Sequence, residues 1–306
     1  GGDQFWSVLL SKRLGYENIT YAEWVVRWPH WNVYIAAMNN KVKNDLAKRH
    51  KRKCFVIGDL MRDIDFDRNK FEEFRNQKWI AILPGSKKSK LSVGIPYFLE
   101  MADEIAKISN NINLMIPLAP TVDIQDLFYY ASENNHIACH YSSQIKSIKK
   151  INDKNFDYLL ETQKDTKIFI LLNNPNYPIL SQCELAVTTV GANTAELAAI
   201  QMPMIVVLPT QHLDIIKSWD GIFGILGKLP FFNYLITHFI KRWYIKNKKF
   251  FSWPNIRANK MVIPERIGEI NPETIAEEVM HLINNEELLQ EQKRRLSIQR
   301  GRKGAV

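Results

Sequence analysis

The chain has 306 residues, of which 46% are hydrophobic and 24% charged, enough apolar material to bury one large core or two smaller ones. Its cysteines, Cys54, Cys139 and Cys183, are too few and too scattered for a disulfide framework, which points to a reducing compartment. The formal charge is +9 and unevenly spread.

In chain order, Gly1-Gly2-Asp3 stands directly before a helical run from Phe5 to Leu14, with no secretory signal visible. That opening reads as the middle of a domain, so a fragment lacking an N-terminal part is expected. A strand follows near Ile19 to Ala22, a basic helix around Lys41 to Arg52, and a strand at Cys54 to Ile57 that Gly58-Asp59 ends. The charged stretch from Arg62 to Lys78 reads as a linker. The expected division is therefore residues 1–75 and 76–306.

Trp79-Ile80-Ala81-Ile82-Leu83 opens a second α/β region and breaks at Pro84-Gly85-Ser86-Lys87-Lys88-Ser89-Lys90. A helical pattern through Tyr97, Phe98, Met101, Ala102, Ile105 and Ile108 comes next. Strands are predicted near Leu114 to Leu118, Lys167 to Leu172, Leu185 to Thr188 and Met204 to Leu208, with the polar, lysine-rich stretch from His140 to Lys167 an exposed excursion. Asn271, Pro272 and Glu273 open a last helix whose apolar stripe is Ile275, Val279, Leu282 and Ile283. Strands alternating with helices imply parallel sheets covered on both faces.

Two strand-to-helix turns carry the functional signal. Thr188-Thr189-Val190-Gly191-Ala192-Asn193-Thr194-Ala195-Glu196 places Gly191, Asn193 and Thr194 where a helix begins, and free N–H groups there favour a phosphate. Glu196, one turn on, suits ribose hydroxyls. The competing reading is an ordinary crossover helix with Asn193 or Thr194 as N-cap and Glu196 in a capping box. At the other turn Gly85 permits close backbone approach and Lys87, Lys88 and Lys90 supply cations. Neither a Walker loop nor a G-x-G-x-x-G fingerprint is present. Two anion-friendly turns in one sheet predict a diphosphate clamped between them.

From Gly221 to Pro264 there is no Asp or Glu, while eight Lys and Arg residues lie among many aromatic ones. Phe231, Phe232, Lys241, Arg242, Trp243, Lys248 and Lys249 typify a pattern suited to an anionic membrane surface, and residues 221–253 are the expected interfacial segment. Lys228, Pro230, Asn233 and His238 interrupt the apolar run, which argues against a transmembrane helix. The aliphatic filling argues against nucleic acid. A buried helical hairpin with a basic face is the plain alternative.

With these residues in view, the chain resembles lipid A disaccharide synthase. The likeness rests on Leu83-Pro84-Gly85-Ser86-Lys87, on the Gly191 to Glu196 turn, on Pro254-Asn255-Ile256 and on Val262-Ile263-Pro264-Glu265. The form Thr-Thr-Val-Gly-Ala-Asn-Thr-Ala-Glu, with Leu208-Pro209-Thr210-Gln211 after it, is closer still to the related proteins of oxygenic phototrophs. The resemblance implies a GT-B glycosyltransferase: two Rossmann-like α/β domains, the N-terminal one incomplete in this chain. It implies a UDP-sugar donor, a lipid or lipid-like acceptor, inversion at the anomeric carbon, and no metal or other cofactor. By position, Gly85, Ser86 and Lys87 flank the diphosphate, Thr189, Gly191, Asn193 and Thr194 hold it at the second turn, and Glu196 binds ribose. Asn255 and Glu265 border the sugar cleft, and Asp3 is the nearest candidate for the catalytic base, though equally placed to cap a helix. Lys87 stands where the synthases usually carry Arg, which loses bidentate phosphate geometry, and Val190 where serine is common. A cytoplasmic, peripheral membrane enzyme is the expectation. The alternatives are a UDP-sugar epimerase of the same fold and a non-catalytic membrane protein derived from a transferase.

Two further clusters stand out. His136-Ile137-Ala138-Cys139-His140 matches no zinc spacing and reads as a strand edge. Trp24, Trp28 and Trp31, with Arg27, Pro29 and His30, suit an acceptor cleft, a membrane surface or a core. No Ser-His-Asp elbow appears, which disfavours a hydrolase.

Overall fold

Strands that alternate between two apolar faces need cover on both, and the larger part of this chain supplies it. The computed structural model describes residues 5–299 except 24, 65, 68–70, 72–73, 75, 173–174, 210 and 212–249. Asp3 and the expected membrane-facing residues Phe231, Phe232, Lys241, Arg242, Trp243, Lys248 and Lys249 lie outside the described residues. The chain divides into two compact units, Gly1–Asp65 with Arg300–Val306, and Phe66–Gln299.

The first unit holds helix α1 (Phe5–Leu14) and a three-stranded parallel sheet of β1 (Ile19–Ala22), β2 (Tyr34–Ala37) and β3 (Cys54–Val56), in that order. Strand β2 is not anticipated by the sequence reading, because its short Ile35-Ala36-Ala37 core follows the aromatic cluster with no turn signal between. The predicted basic helix is two pieces, α2 (Asn40–Asn44) and α3 (Lys48–Lys51). Asn39 caps the first through Val42 N at 3.0 Å, and Ala47, in extended backbone with ψ 145°, separates them. Trp28 and Trp31 stack 5.5 Å apart, with Phe5 against both and Lys12 Nζ 5.6 Å from the Trp31 ring.

The second unit is an eight-stranded sheet. Its strands are β4 (Lys78–Leu83), β5 (Ile112–Pro117), β6 (Ile145–Lys150), β7 (Tyr158–Thr162), β8 (Lys167–Leu171), β9 (Leu185–Thr189), β10 (Met204–Pro209) and β11 (Glu265–Gly268), in the order β11-β10-β9-β4-β5-β8-β7-β6. From β11 to β8 every pairing is parallel. Counting those six strands along the chain, their order is the doubly wound one in which the sequence runs outward in both directions from the centre. The reversal falls between β4 and β9, where Leu83 lies opposite Thr188.

Helices α4 (Lys88–Ile108), α5 (Ile124–Ala131) and α9 (Pro272–Ile283) share one face of the sheet with Ile80, Ile82, Leu185, Val187, Ile205 and Val207. The other face buries Trp79, Ala81, Ala186, Met204 and Val206 with α6 (Tyr177–Leu180), α7 (Asn193–Ala199) and α10 (Glu286–Gln299), and α8 (Trp253–Ala258) packs against α7. The period of two along each strand thus matches a sheet buried on both sides. Pro96 sits inside α4 and cannot donate to the Ser92 carbonyl. That carbonyl instead accepts from Asn135 Nδ2 at 2.7 Å, so the helix runs on without an orphaned oxygen.

The lysine-rich stretch after His140 is not an irregular excursion. It forms β6 and β7, an antiparallel extension of the sheet, and its lysines are those of an exposed edge strand. His136 to His140 is also no strand edge, since Ala138–His140 is a single 3₁₀ turn that buries Ile137 and Ala138. Among the described residues no group of His, Cys, Asp and Glu is arranged to hold a metal ion, and no helix is long and apolar enough to cross a membrane.

Candidate functional site

In a doubly wound sheet the crevice opens outside the carboxyl ends of the strands at the point where strand order reverses. Here that point is the end of β4 beside the end of β9, and each of these strands runs straight into a glycine turn. Gly85 has φ +108°, a conformation side chains rarely adopt, and Gly191 lies two residues past the end of β9. The turns touch. Thr189 Oγ1 is 3.5 Å from Pro84 O, and a Cβ built on Gly85 would meet the same hydroxyl at 3.2 Å.

Lys90, in the first turn of α4, closes the gap. Its Nζ donates to Val190 O at 2.5 Å, tying the first turn to the second across the whole intervening βαβ architecture. The backbone N–H groups of Gly85, Ser86, Gly191 and Ala192 have no acceptor among the described residues. Ser86, Lys87 and Ala192 are exposed, and Gly85 and Gly191 half-buried, so the turns face outward. Unpaired amides from two adjacent turns, with lysines beside them, make a receptor for an anion with several oxygens.

The second turn is held by hydroxyls. Thr194, fully buried, donates from Oγ1 to Gly191 O at 2.8 Å and accepts from Trp253 N at 3.1 Å, which fixes the turn to the start of α8. Asn193 Nδ2 donates to Thr188 Oγ1. Neither Asn193 nor Thr194 is the N-cap: both are helical, and Ala192, which has no capping side chain, stands before them. The competing capping-box reading thus has no counterpart; Thr194 N donates to Gly191 O at 3.1 Å and Ala195 N to Ala192 O at 2.9 Å, so the turn's own carbonyls satisfy these first-turn groups.

Glu196 is half-buried and accepts no hydrogen bond from any described residue. Burial pushes its carboxyl above the usual range, and its charge in turn raises the Tyr177 phenol, after the larger effect of burial there. Lys90 is shifted toward its neutral form as well, by burial first and by the Lys87 charge second. Two opposite charges are therefore each partly stripped of water without a counter-ion.

Asn255 and Glu265 lie elsewhere in this region and are fully occupied. Asn255, 0% exposed, accepts from Val262 N at 2.6 Å and Ile263 N at 3.0 Å, and donates to Ile263 O at 2.9 Å and Glu265 Oε1 at 2.7 Å. Glu265 also receives Phe251 N at 3.0 Å and Ser252 N at 2.9 Å. Together they knot the start of 250–265 to its end, where β11 begins. Lys90, in the sequence one of three cations beside Gly85, makes a contact with Val190 that appears only when the two turns are brought together.

No family model matches the chain. In sequence it is 24% identical over 236 residues to a lipid-A-disaccharide synthase of Sulfurihydrogenibium sp., covering 76% of this chain and 49% of that protein. A lipid-A-disaccharide synthase of Wigglesworthia glossinidia brevipalpis is 24% identical over 219 residues, covering 71% and 43%. The chain thus spans about half the length of these relatives or less. Among solved structures, that of MnaA from S. aureus with UDP superposes with a TM-score of 0.44 at 10% identity, over 87% of this chain and 56% of that one. The motif resemblance and the sequence matches agree: this chain is similar to the lipid-A-disaccharide synthases over about 70% of its length.

Proposed function

We propose that the chain is the donor-side part of a GT-B glycosyltransferase that moves a sugar from a UDP-sugar to a lipid or lipid-like acceptor. The observation that carries this reading is the meeting of the Gly85 and Gly191 turns at the switch point of the sheet, with their amides unpaired. In this reading the diphosphate lies across Gly85, Ser86, Lys87, Gly191 and the start of α7, flanked by Thr189 and Asn193. Glu196 takes the ribose hydroxyls, while Thr194, Asn255 and Glu265 hold the walls in place. Residues 76–306 form the UDP-sugar domain and residues 1–75 belong to the acceptor side.

Transfer without a metal follows from the same chemistry, because fixed N–H groups and lysines neutralise the departing diphosphate. Inversion requires a base beside the acceptor hydroxyl, a role proposed for Asp3. The acid-free basic and aromatic segment 221–253 supports a seat on an anionic membrane surface, and a peripheral position in the cytoplasm. The kinship with the synthase-related proteins of oxygenic phototrophs belongs to this proposal too.

The test is thermal unfolding with and without UDP. UDP should raise the melting temperature of the wild type, and Glu196→Ala should lose most of that rise. An equal rise in the variant removes the ribose contact, and no rise in the wild type removes the donor site.

A further inference from the structure

Lys90 is enclosed by both glycines. A Cβ on Gly85 would stand 2.9 Å from Lys90 Cβ, and one on Gly191 would stand 2.8 Å from Lys90 Nζ. Glycine at both positions therefore leaves a sleeve through which the lysine stem passes and in which its ammonium ends. Of the three N–H groups there, one is given to Val190 O, and no carboxylate pairs with the others among the described residues. The charge that acts on it is another cation, Lys87. Ser89 and Thr189 line the same recess, as does Tyr97, which is fully buried and whose hydroxyl has no partner among the described residues. A half-buried ammonium beside a like charge is unfavourable unless an anion completes the arrangement.

We propose that Lys90 is the built-in counter-ion of the donor diphosphate, resting on the Val190 carbonyl when the site is empty and turning its two spare N–H groups to a nucleoside diphosphate when it is filled. The inference rests on the UDP-sugar reading and goes beyond it, since no motif residue of that reading is Lys90. It also separates the three lysines of the turn: Lys87 and Lys88 are exposed, whereas Lys90 is half-buried and held between both turns.

The experiment measures binding of UDP and inorganic pyrophosphate by calorimetry, and of uridine by ligand-observed NMR, to the full 306-residue chain and to Lys90→Met and Lys90→Arg. Lys90→Met should weaken UDP and pyrophosphate by about tenfold to a hundredfold, the range for a hydrogen bond to a charged group. Its uridine affinity should stay at the wild-type value, and Lys90→Arg should recover most of the loss. Should Lys90→Met fail to fold, Lys90→Gln carries the same comparison. Wild-type UDP affinity in the Met or Gln variant overturns the role of Lys90 and leaves the UDP-sugar reading standing. Equal loss of uridine and UDP marks a general structural effect and overturns it as well. A wild type that binds none of the three overturns both.

Discussion

Helix α4 carries an ionisable side chain near each end, and the two are treated in opposite ways. Asp103, 1% exposed, accepts from Ser143 Oγ at 2.5 Å and Thr162 Oγ1 at 2.6 Å, with Lys164 Nζ 4.0 Å away. Glu100, one turn earlier, receives Ser142 N and Ser143 N. The carboxylates thereby dock the turn before β6 and the end of β7 onto the helix, with every charge answered. Lys90 at the other end has one carbonyl and a neighbouring cation. A buried charge that is fully paired holds structure together; one left short of partners at an open crevice is set aside for a ligand.

The sharpest way to break that contrast is to remove the paired charge. Asp103→Ala leaves the Ser143 and Thr162 hydroxyls without their acceptor and removes the carboxylate 4.0 Å from Lys164, and should cost about 3 kcal/mol in denaturant unfolding. Without ligand, Lys90→Met removes an unanswered charge and should cost little. Similar losses in both variants would show that the two ends of α4 are alike after all.

Tyr97 sharpens the comparison on a smaller scale, because it lies midway along the same helix with its hydroxyl buried and without a partner among the described residues. Burial pushes its phenol far above the usual range. Removing a buried donor that has no acceptor relieves a desolvation cost, so Tyr97→Phe should stabilise the ligand-free chain by about 1 kcal/mol. A loss of stability would mean that the hydroxyl is answered in solution, by a water in the recess.

Much of this is legible in the residues alone. Leu185 to Glu196 declares strand, glycine and helix in one run, and Trp79 to Lys90 repeats it, so both turns of the site follow from local pattern. Their adjacency is expected from the anion chemistry the two turns share and not from local pattern, because the order of strands in a sheet depends on long-range packing. Lys90 meets Val190 only through that order. The edge pair β6 and β7 was hidden for another reason: Ile145-Lys146-Ser147-Ile148-Lys149-Lys150 has the lysines of a solvated loop, and only its pairing with β7 makes it a strand. Asn255 shows the converse case, a motif residue whose amide is spent wholly on its own loop.

Glu196 offers the finest test of the contrast, since its carboxylate is half-buried and has no partner among the described residues, where that of Asp103 is buried and paired. Its folded-state pKa is raised above the usual 4.5 by burial, so the folded chain holds the proton more tightly than the unfolded one. Whatever stability protonated Glu196 lends is therefore complete below the ordinary glutamate range and is lost as pH rises through the folded value. Glu196→Gln mimics the protonated form at every pH. The variant should match the wild type near pH 4 and exceed it at pH 7 by at most about 0.5 kcal/mol, because the carboxylate keeps part of its water. Denaturant unfolding between those pH values reads the difference. A gap that stays flat, or that opens toward acid, would mean that Glu196 already has a partner in the empty site, and the reserve of unanswered charge would then belong to Lys90 alone.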